Sequence, residues 1–232
     1  MPQELGYLSS EALLCISKHF MNTPSSPPLE TLKDIRSMME RSSRFISLSG
    51  WSGISAGCCA LVGAWLASRE IAHSLAGGLE GNGSIPDALH IRLAFLGICV
   101  FSAALVSAVL FTYLRSRREG VAIWGKSARR LLWNTVLPMV AGGLFIIRLG
   151  YLHLDGLIAP ACLLFYGLAL VNGSKYTLGE IRYLGYAQII LGAINCWMPG
   201  YGLYFWAAGF GVLHILYGIW MWVKYEAKAQ TV

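Results

Sequence analysis

Three polar side chains stand almost alone in the apolar stretch "RYLGYAQIILGAINCWMPGYGLYFWAAGFGVLHILYGIWMWVKYE": Gln188, Asn195 and His214. An amide or imidazole inside a membrane helix hydrogen-bonds to a neighbouring helix, and an ionisable one is a functional-site hypothesis. The spacing around them is helical. Gly185, Gln188, Gly192 and Asn195 recur at intervals of three, four and three, and Ala207, Gly211, His214 and Gly218 at four, three and four. Each set therefore shares one face, on which small residues let two backbones approach closely. Counting back from the tight connection at Pro199-Gly200 puts Gln188 opposite Gly211 and His214 opposite Gly185. The two polar groups are then about 4.5 Å apart in depth, at about 1.5 Å per residue, and a His214–Gln188 hydrogen bond is expected.

His214 reads in two ways: as a neutral packing residue satisfied by its neighbours, or as a group that handles a proton or a ligand. A haem or metal would need a second ligand at the same depth, and His73, His90 and His153 all fall near the opposite face. The chain has no Gly-rich phosphate loop, H-E-x-x-H, G-x-S-x-G or paired intramembrane carboxylates. No metal, cofactor or catalytic residue is therefore expected. Weaker candidates have structural readings. Arg148, Tyr151 and Asp155 share a face and allow an Arg148–Asp155 pair, while Thr177 and Glu180 match a capping box. Asn134 lies one turn before Pro138, which must disturb its helix. Gly53-x-x-x-Gly57 fits a close-packing motif.

The elements that position these residues are long apolar helices. Of 232 residues, 56% are hydrophobic and 13% charged, against about 25% charged in an ordinary soluble domain. Mean hydropathy is +0.55. Lipid is the solvent such a chain suits. The runs predict an all-α membrane protein with six transmembrane helices at about 46–68, 92–114, 131–152, 156–172, 183–198 and 201–223, and a tail at 224–232. Fifteen of the 18 Lys and Arg fall on one side of this arrangement, leaving Arg69, Arg92 and Arg148 on the other. The positive-inside rule then places both termini in the cytoplasm. That distribution also accounts for the net charge of +6 without a nucleic-acid partner. The six cysteines form no C-x-x-C pair and read as small apolar side chains. Residues 70–91, with Glu70, His73, Glu80, Asp87 and His90, read as a solvated exterior loop.

Ahead of the first span lies a cytoplasmic segment, 1–45, in which Pro27-Pro28 suits the first turn of a helix. From 29 to 45 and into the span, Leu32, Ile35, Met39 and Ile46 form one side, and Glu30, Lys33, Asp34, Arg36, Glu40, Arg41 and Arg44 the other. Such an amphipathic stripe lies on the lipid surface or docks on a protein, either a cytoplasmic partner or another copy of the chain. Because "ERSSRFISLSG" contains no breaker before Gly50, one helix is expected to run from that face into the first span.

The segments "LKDIRSMMERSSRFISLSG" and "EIRYLGYAQIILG…PGYGLYFWAAGFGVLHILYG" resemble a family of uncharacterised bacterial multi-pass integral membrane proteins. The resemblance implies a multi-pass membrane fold and assigns no activity or catalytic residue. The expectation is a non-enzymatic inner-membrane protein that self-associates and acts as an adaptor or sensor through its amphipathic helix. The rival is a small-solute or proton-linked transporter or channel along the seam of the last two spans, lined by Gln188, Asn195 and His214. A membrane enzyme acting on lipid or quinone is the third reading.

Overall fold

The computed structural model describes residues 50–76, 87–119, 125–177 and 179–226, all within one compact unit, Arg44–Val232. Leu32, Ile35, Met39 and Ile46, and the continuous helix expected to enter the first span, lie outside the described residues. Among those described, every regular element is helical. In lipid this is what unbroken apolar runs dictate, because a helix satisfies its backbone polar groups internally.

Six helices result: α1 (Gly50–Ala76), α2 (Asp87–Glu119), α3 (Lys126–Tyr151), α4 (Ile158–Gly173), α5 (Ile181–Cys196) and α6. The last is composite. It runs α-helical over Gly202–Trp206, π-helical over Ala207–Leu213, α-helical over His214–Met221 and π-helical again over Trp222–Glu226. Five of the six, at Gly50–Ser74, Ala88–Arg117, Ser127–Tyr151, Asp155–Tyr176 and Pro199–Tyr225, are long and apolar enough to cross a membrane. The exception is α5, whose 16 residues fall short of the roughly 20 that a bilayer core asks for. Both α1 and α2 outrun the expected spans, so Glu70 and His73 belong to α1 and His90 to α2 rather than to a loop.

Successive helices run antiparallel. α1 packs on α2 and α6, α4 packs on α5 and α3, and α6 joins the two groups. α2 lies at the edge, with Ile91, Phe95, Ile98 and Val106 each at least 65% exposed. An apolar face of that kind suits lipid chains.

Glycine sets the spacing of the α1–α6 seam. A Cβ at Gly57 would lie 2.7 Å from the Gly211 carbonyl, one at Gly53 3.2 Å from Gly218 Cα, and one at Gly218 2.7 Å from the Gly50 carbonyl. Gly53 and Gly57 thus face α6. On the other side, Gly185 approaches the Gly167 carbonyl (2.9 Å) and Gly192 approaches Leu163 and Leu164 of α4. The two glycine sets of the final hairpin therefore serve different neighbours: Gly185 and Gly192 pack on α4, Gly211 and Gly218 on α1. Helical periodicity gathers residues on a face without naming the helix that covers it, and here each face meets more than one.

Pro138 has a matching partner across the bundle. Lacking an N–H, it cannot bond the carbonyl one turn back, at Asn134. Asn172 of α4 donates its amide to that carbonyl instead, at 2.8 Å, while the Asn134 amide turns back to the Arg130 carbonyl at 2.7 Å.

Candidate intramembrane polar site

α5 brings Gln188 against α6 where the π-helical stretch begins. Gly209, not Gly211, meets Gln188 there. A Cβ at Gly209 would lie 2.6 Å from Gln188 Oε1 and would collide with Leu163 Cδ2. Glycine leaves room for both side chains where they stand. The Gly209 carbonyl then accepts two side-chain hydrogen bonds, from Gln188 Nε2 at 2.8 Å and from His214 Nδ1 at 3.0 Å.

The second of these bonds sets the tautomer of His214. A carbonyl only accepts, so Nδ1 carries the proton and Nε2 presents a lone pair. Tyr166 of α4 donates its hydroxyl to that lone pair at 2.8 Å. The expected His214–Gln188 contact is present at 3.5 Å. With both nitrogens bearing hydrogen, the shared Gly209 carbonyl binds them together. Phe210 stacks on the imidazole, with centroids 6.1 Å apart and planes 17° apart, and Tyr166 packs on Phe210 at 5.0 Å. The ring is thus held on both nitrogens and one face.

The cluster is not fully satisfied. Gln188 and Asn195 are both 0% exposed, yet among the described residues Gln188 Oε1 and Asn195 Oδ1 have no hydrogen-bond partner, and neither does the buried hydroxyl of Tyr217. Leaving a buried polar atom unpaired costs about 1–3 kcal/mol, and native proteins carry few such atoms. Asn195 stands apart from the other two candidates. It lies two turns along α5 from Gln188, beside the turn at the helix end, and its amide donates to the Met198 carbonyl at 3.0 Å. Ala207 opens the π-helical stretch half-exposed and away from the polar contacts.

At one end of the junction, Glu180 accepts hydrogen bonds from Lys224 Nζ and from the Tyr225 hydroxyl, each at 2.6 Å. Partial burial opposes its ionisation, but those two bonds outweigh it and hold the carboxyl below its ordinary value. The expected capping box does not form. Glu180 occupies the N-cap position of α5 without a side-chain cap bond, and Thr177 turns its hydroxyl to the Gly173 carbonyl at 3.4 Å. A cationic partner on α6 outcompetes a backbone N–H for the carboxylate.

At the other end, Asp155 pairs with His90 Nε2 at 2.7 Å instead of with Arg148. His153, in the turn between α3 and α4, has a φ of 54° and sets its ring against His90, centroids 5.7 Å apart. Among the described residues no three His, Cys, Asp or Glu side chains are grouped to hold a metal. The five described cysteines are all free thiols.

Tyr166, Tyr217 and Tyr225 were not among the residues singled out by sequence. Tyr166 carried a usable signal: it falls in the middle of an apolar run, whereas tyrosine ordinarily gathers at the membrane interfaces. No family model matches the chain, and no curated protein or solved structure matches it.

Proposed function

We propose that this is a six-span membrane protein with both termini in the cytoplasm, and that it passes a small polar solute along the junction of α4, α5 and α6. Its topology rests on the distribution of Lys and Arg, with α5 as the short sixth span. The resemblance at the two ends of the chain favours the bacterial inner membrane. The observation that carries the functional reading is Gln188, a fully buried amide whose oxygen has no partner among the described residues. An apolar side chain of similar size would cost less there, so its presence favours a hydrogen-bond donor that comes and goes. The test is stopped-flow light scattering of proteoliposomes challenged with water, urea and glycerol gradients. At least one solute should equilibrate faster than in empty vesicles, and Gln188→Leu should abolish the difference. Rates equal to those of empty vesicles for every solute, protons included, would sink the reading.

A second reading has its own support in the amphipathic stripe of Leu32, Ile35, Met39 and Ile46, which suits an adaptor or sensor docking on a cytoplasmic protein or a second copy. Leu32→Glu combined with Ile35→Glu should then abolish cross-linking of the chain to its partner in whole membranes. Unchanged cross-linking rules that face out.

A further inference from the structure

We propose that His90 and His153 form a binding site for a divalent transition ion of the zinc class, with Asp155 orienting the His90 ring from behind, at the end of the bundle remote from Glu180. This site is separate from the solute pathway and does not depend on it.

The two histidines come from different elements. His90 stands in the first turn of α2, and His153 in the turn between α3 and α4. Asp155 Oδ1 lies 2.7 Å from His90 Nε2. A carboxylate only accepts, so Nε2 carries the proton and Nδ1 presents its lone pair. A carboxylate behind an imidazole fixes the tautomer and ring plane of metal-binding histidines and makes the free nitrogen a better ligand. Among the described residues nothing bonds that Nδ1, and neither ring nitrogen of His153 has a hydrogen-bond partner.

The separation of the rings suits one shared ion. Their centroids are 5.7 Å apart and their planes 63° apart. An imidazole nitrogen stands about 2.0–2.1 Å from zinc, so two rings on one ion have centroids roughly 5–6 Å apart. An edge-to-face aromatic pair gives a similar distance, but it does not account for the backbone of His153. The Leu154 N–H bonds the Leu149 carbonyl and the His153 N–H the Gly150 carbonyl, each at 3.0 Å. These two bonds close a helix end whose left-handed residue is ordinarily glycine or asparagine. His153 fills that position at a φ of 54°, with its side chain exposed. A side chain kept where glycine is the relaxed choice points to a use for the side chain, here a ring laid against His90.

Imidazole suits zinc, copper and nickel, whereas magnesium and calcium ask for oxygen ligands. Two protein ligands fall short of the three or four of a catalytic or structural centre, so water completes the coordination and the ion exchanges. Its effect is mechanical. α2 lies at the edge of the bundle, where it packs on α1. An ion held by His90 and His153 ties it to the α3–α4 turn as well.

The experiment takes the full chain in detergent, without a polyhistidine tag. It is titrated with Zn²⁺ against a fluorescent zinc indicator in excess Mg²⁺, and with Co²⁺ by visible absorption. One zinc ion per chain should bind, and the thermal unfolding midpoint should rise with zinc. Cobalt should show ligand-field bands without the thiolate charge-transfer band of a cysteine site. His153→Gly relaxes the backbone and so folds at least as well, yet it should abolish both the binding and the midpoint shift. Asp155→Asn keeps an acceptor for Nε2 but removes the charge, and should weaken binding about 10–100-fold. The proposal is overturned if the folded wild-type chain binds no zinc, if His153→Gly binds it with unchanged affinity and stoichiometry, or if cobalt gives a thiolate band.

Discussion

The α1–α6 seam and the α4–α5–α6 junction are both built on glycine, and they use it to opposite ends. In the seam, Gly50, Gly53 and Gly57 meet Gly211 and Gly218 so closely that each would-be Cβ falls against backbone or a packed side chain. That contact is close-packed and built largely from main chain. In the junction, Gly209 makes room for a polar side chain, and the space admits Gln188, His214 and Tyr166, with Gln188 Oε1 left without a partner among the described residues. The same residue type yields a weld in one place and a polar site in the other. What differs is the neighbour: helix backbone in the first case, amide and imidazole in the second.

The comparison breaks most decisively at the seam. Gly218→Val puts carbon 2.7 Å from both the Gly50 carbonyl and the Ile54 amide, and neither backbone can yield without moving a helix. A loss of about 3 kcal/mol or more is expected, at or beyond the upper end for overpacking, seen as a large drop in the thermal unfolding midpoint in detergent. A near-normal midpoint would mean that the seam is looser than its geometry.

A smaller effect is expected where a polar bond only repairs a helix. Asn172→Ala leaves the Asn134 carbonyl, already released by Pro138, without its 2.8 Å partner, at a cost of about 1–2 kcal/mol. Restoring the N–H with Pro138→Ala should remove most of the penalty in the double variant, and simple additivity of the two changes would count against this account.

The Glu180 clamp sets a pH limit. Because its carboxyl is held below the ordinary value by Lys224 and Tyr225, it contributes stability that is fully present above the unfolded carboxylate value, about 4.3. That contribution is lost as pH falls through the lower folded value. The unfolding midpoint should therefore fall as the solution is acidified below about pH 4, and Glu180→Gln should flatten that part of the profile. An identical acid limb in the variant assigns the loss to other carboxyls.

The smallest stability change, and the sharpest contrast with the seam, is expected at Gln188→Leu. It removes one of two donors to Gly209 and also an unpaired buried oxygen, so the two terms offset to within about 1 kcal/mol while transport is lost. A large destabilisation would make Gln188 a structural residue like the glycines around it.

Much of this was legible in the residues. The Pro199-Gly200 turn and the repeat of small and polar residues made the final hairpin antiparallel and placed Gln188 near His214, because α-helical rise and the length of a turn are nearly constant. Less legible was the register. Gly209, not Gly211, meets Gln188, and the π-helical stretch over Ala207–Leu213 is not legible, because no composition rule marks where a helix widens. The tyrosines escaped because a tyrosine in a span ordinarily signals an interface, and its partners come from helices distant in sequence. Spacing gives Arg148 and Thr177 local partners, but Asp155 and Glu180 find stronger ones 65 and 44 residues away in His90 and Lys224.

The amino-acid sequence by itself determined that the chain is helical, that most of its helices are long and apolar enough for a membrane, and which residues share each helix face. Those properties follow from local backbone geometry and from the cost of placing charge and unpaired backbone in lipid. Tertiary structure alone decided which helix covers each face: α1 on Gly211 and Gly218, α4 on Gly185 and Gly192, and Tyr166 on His214. Periodicity sorts residues around an axis, whereas the choice of neighbour depends on close contacts summed over the whole bundle.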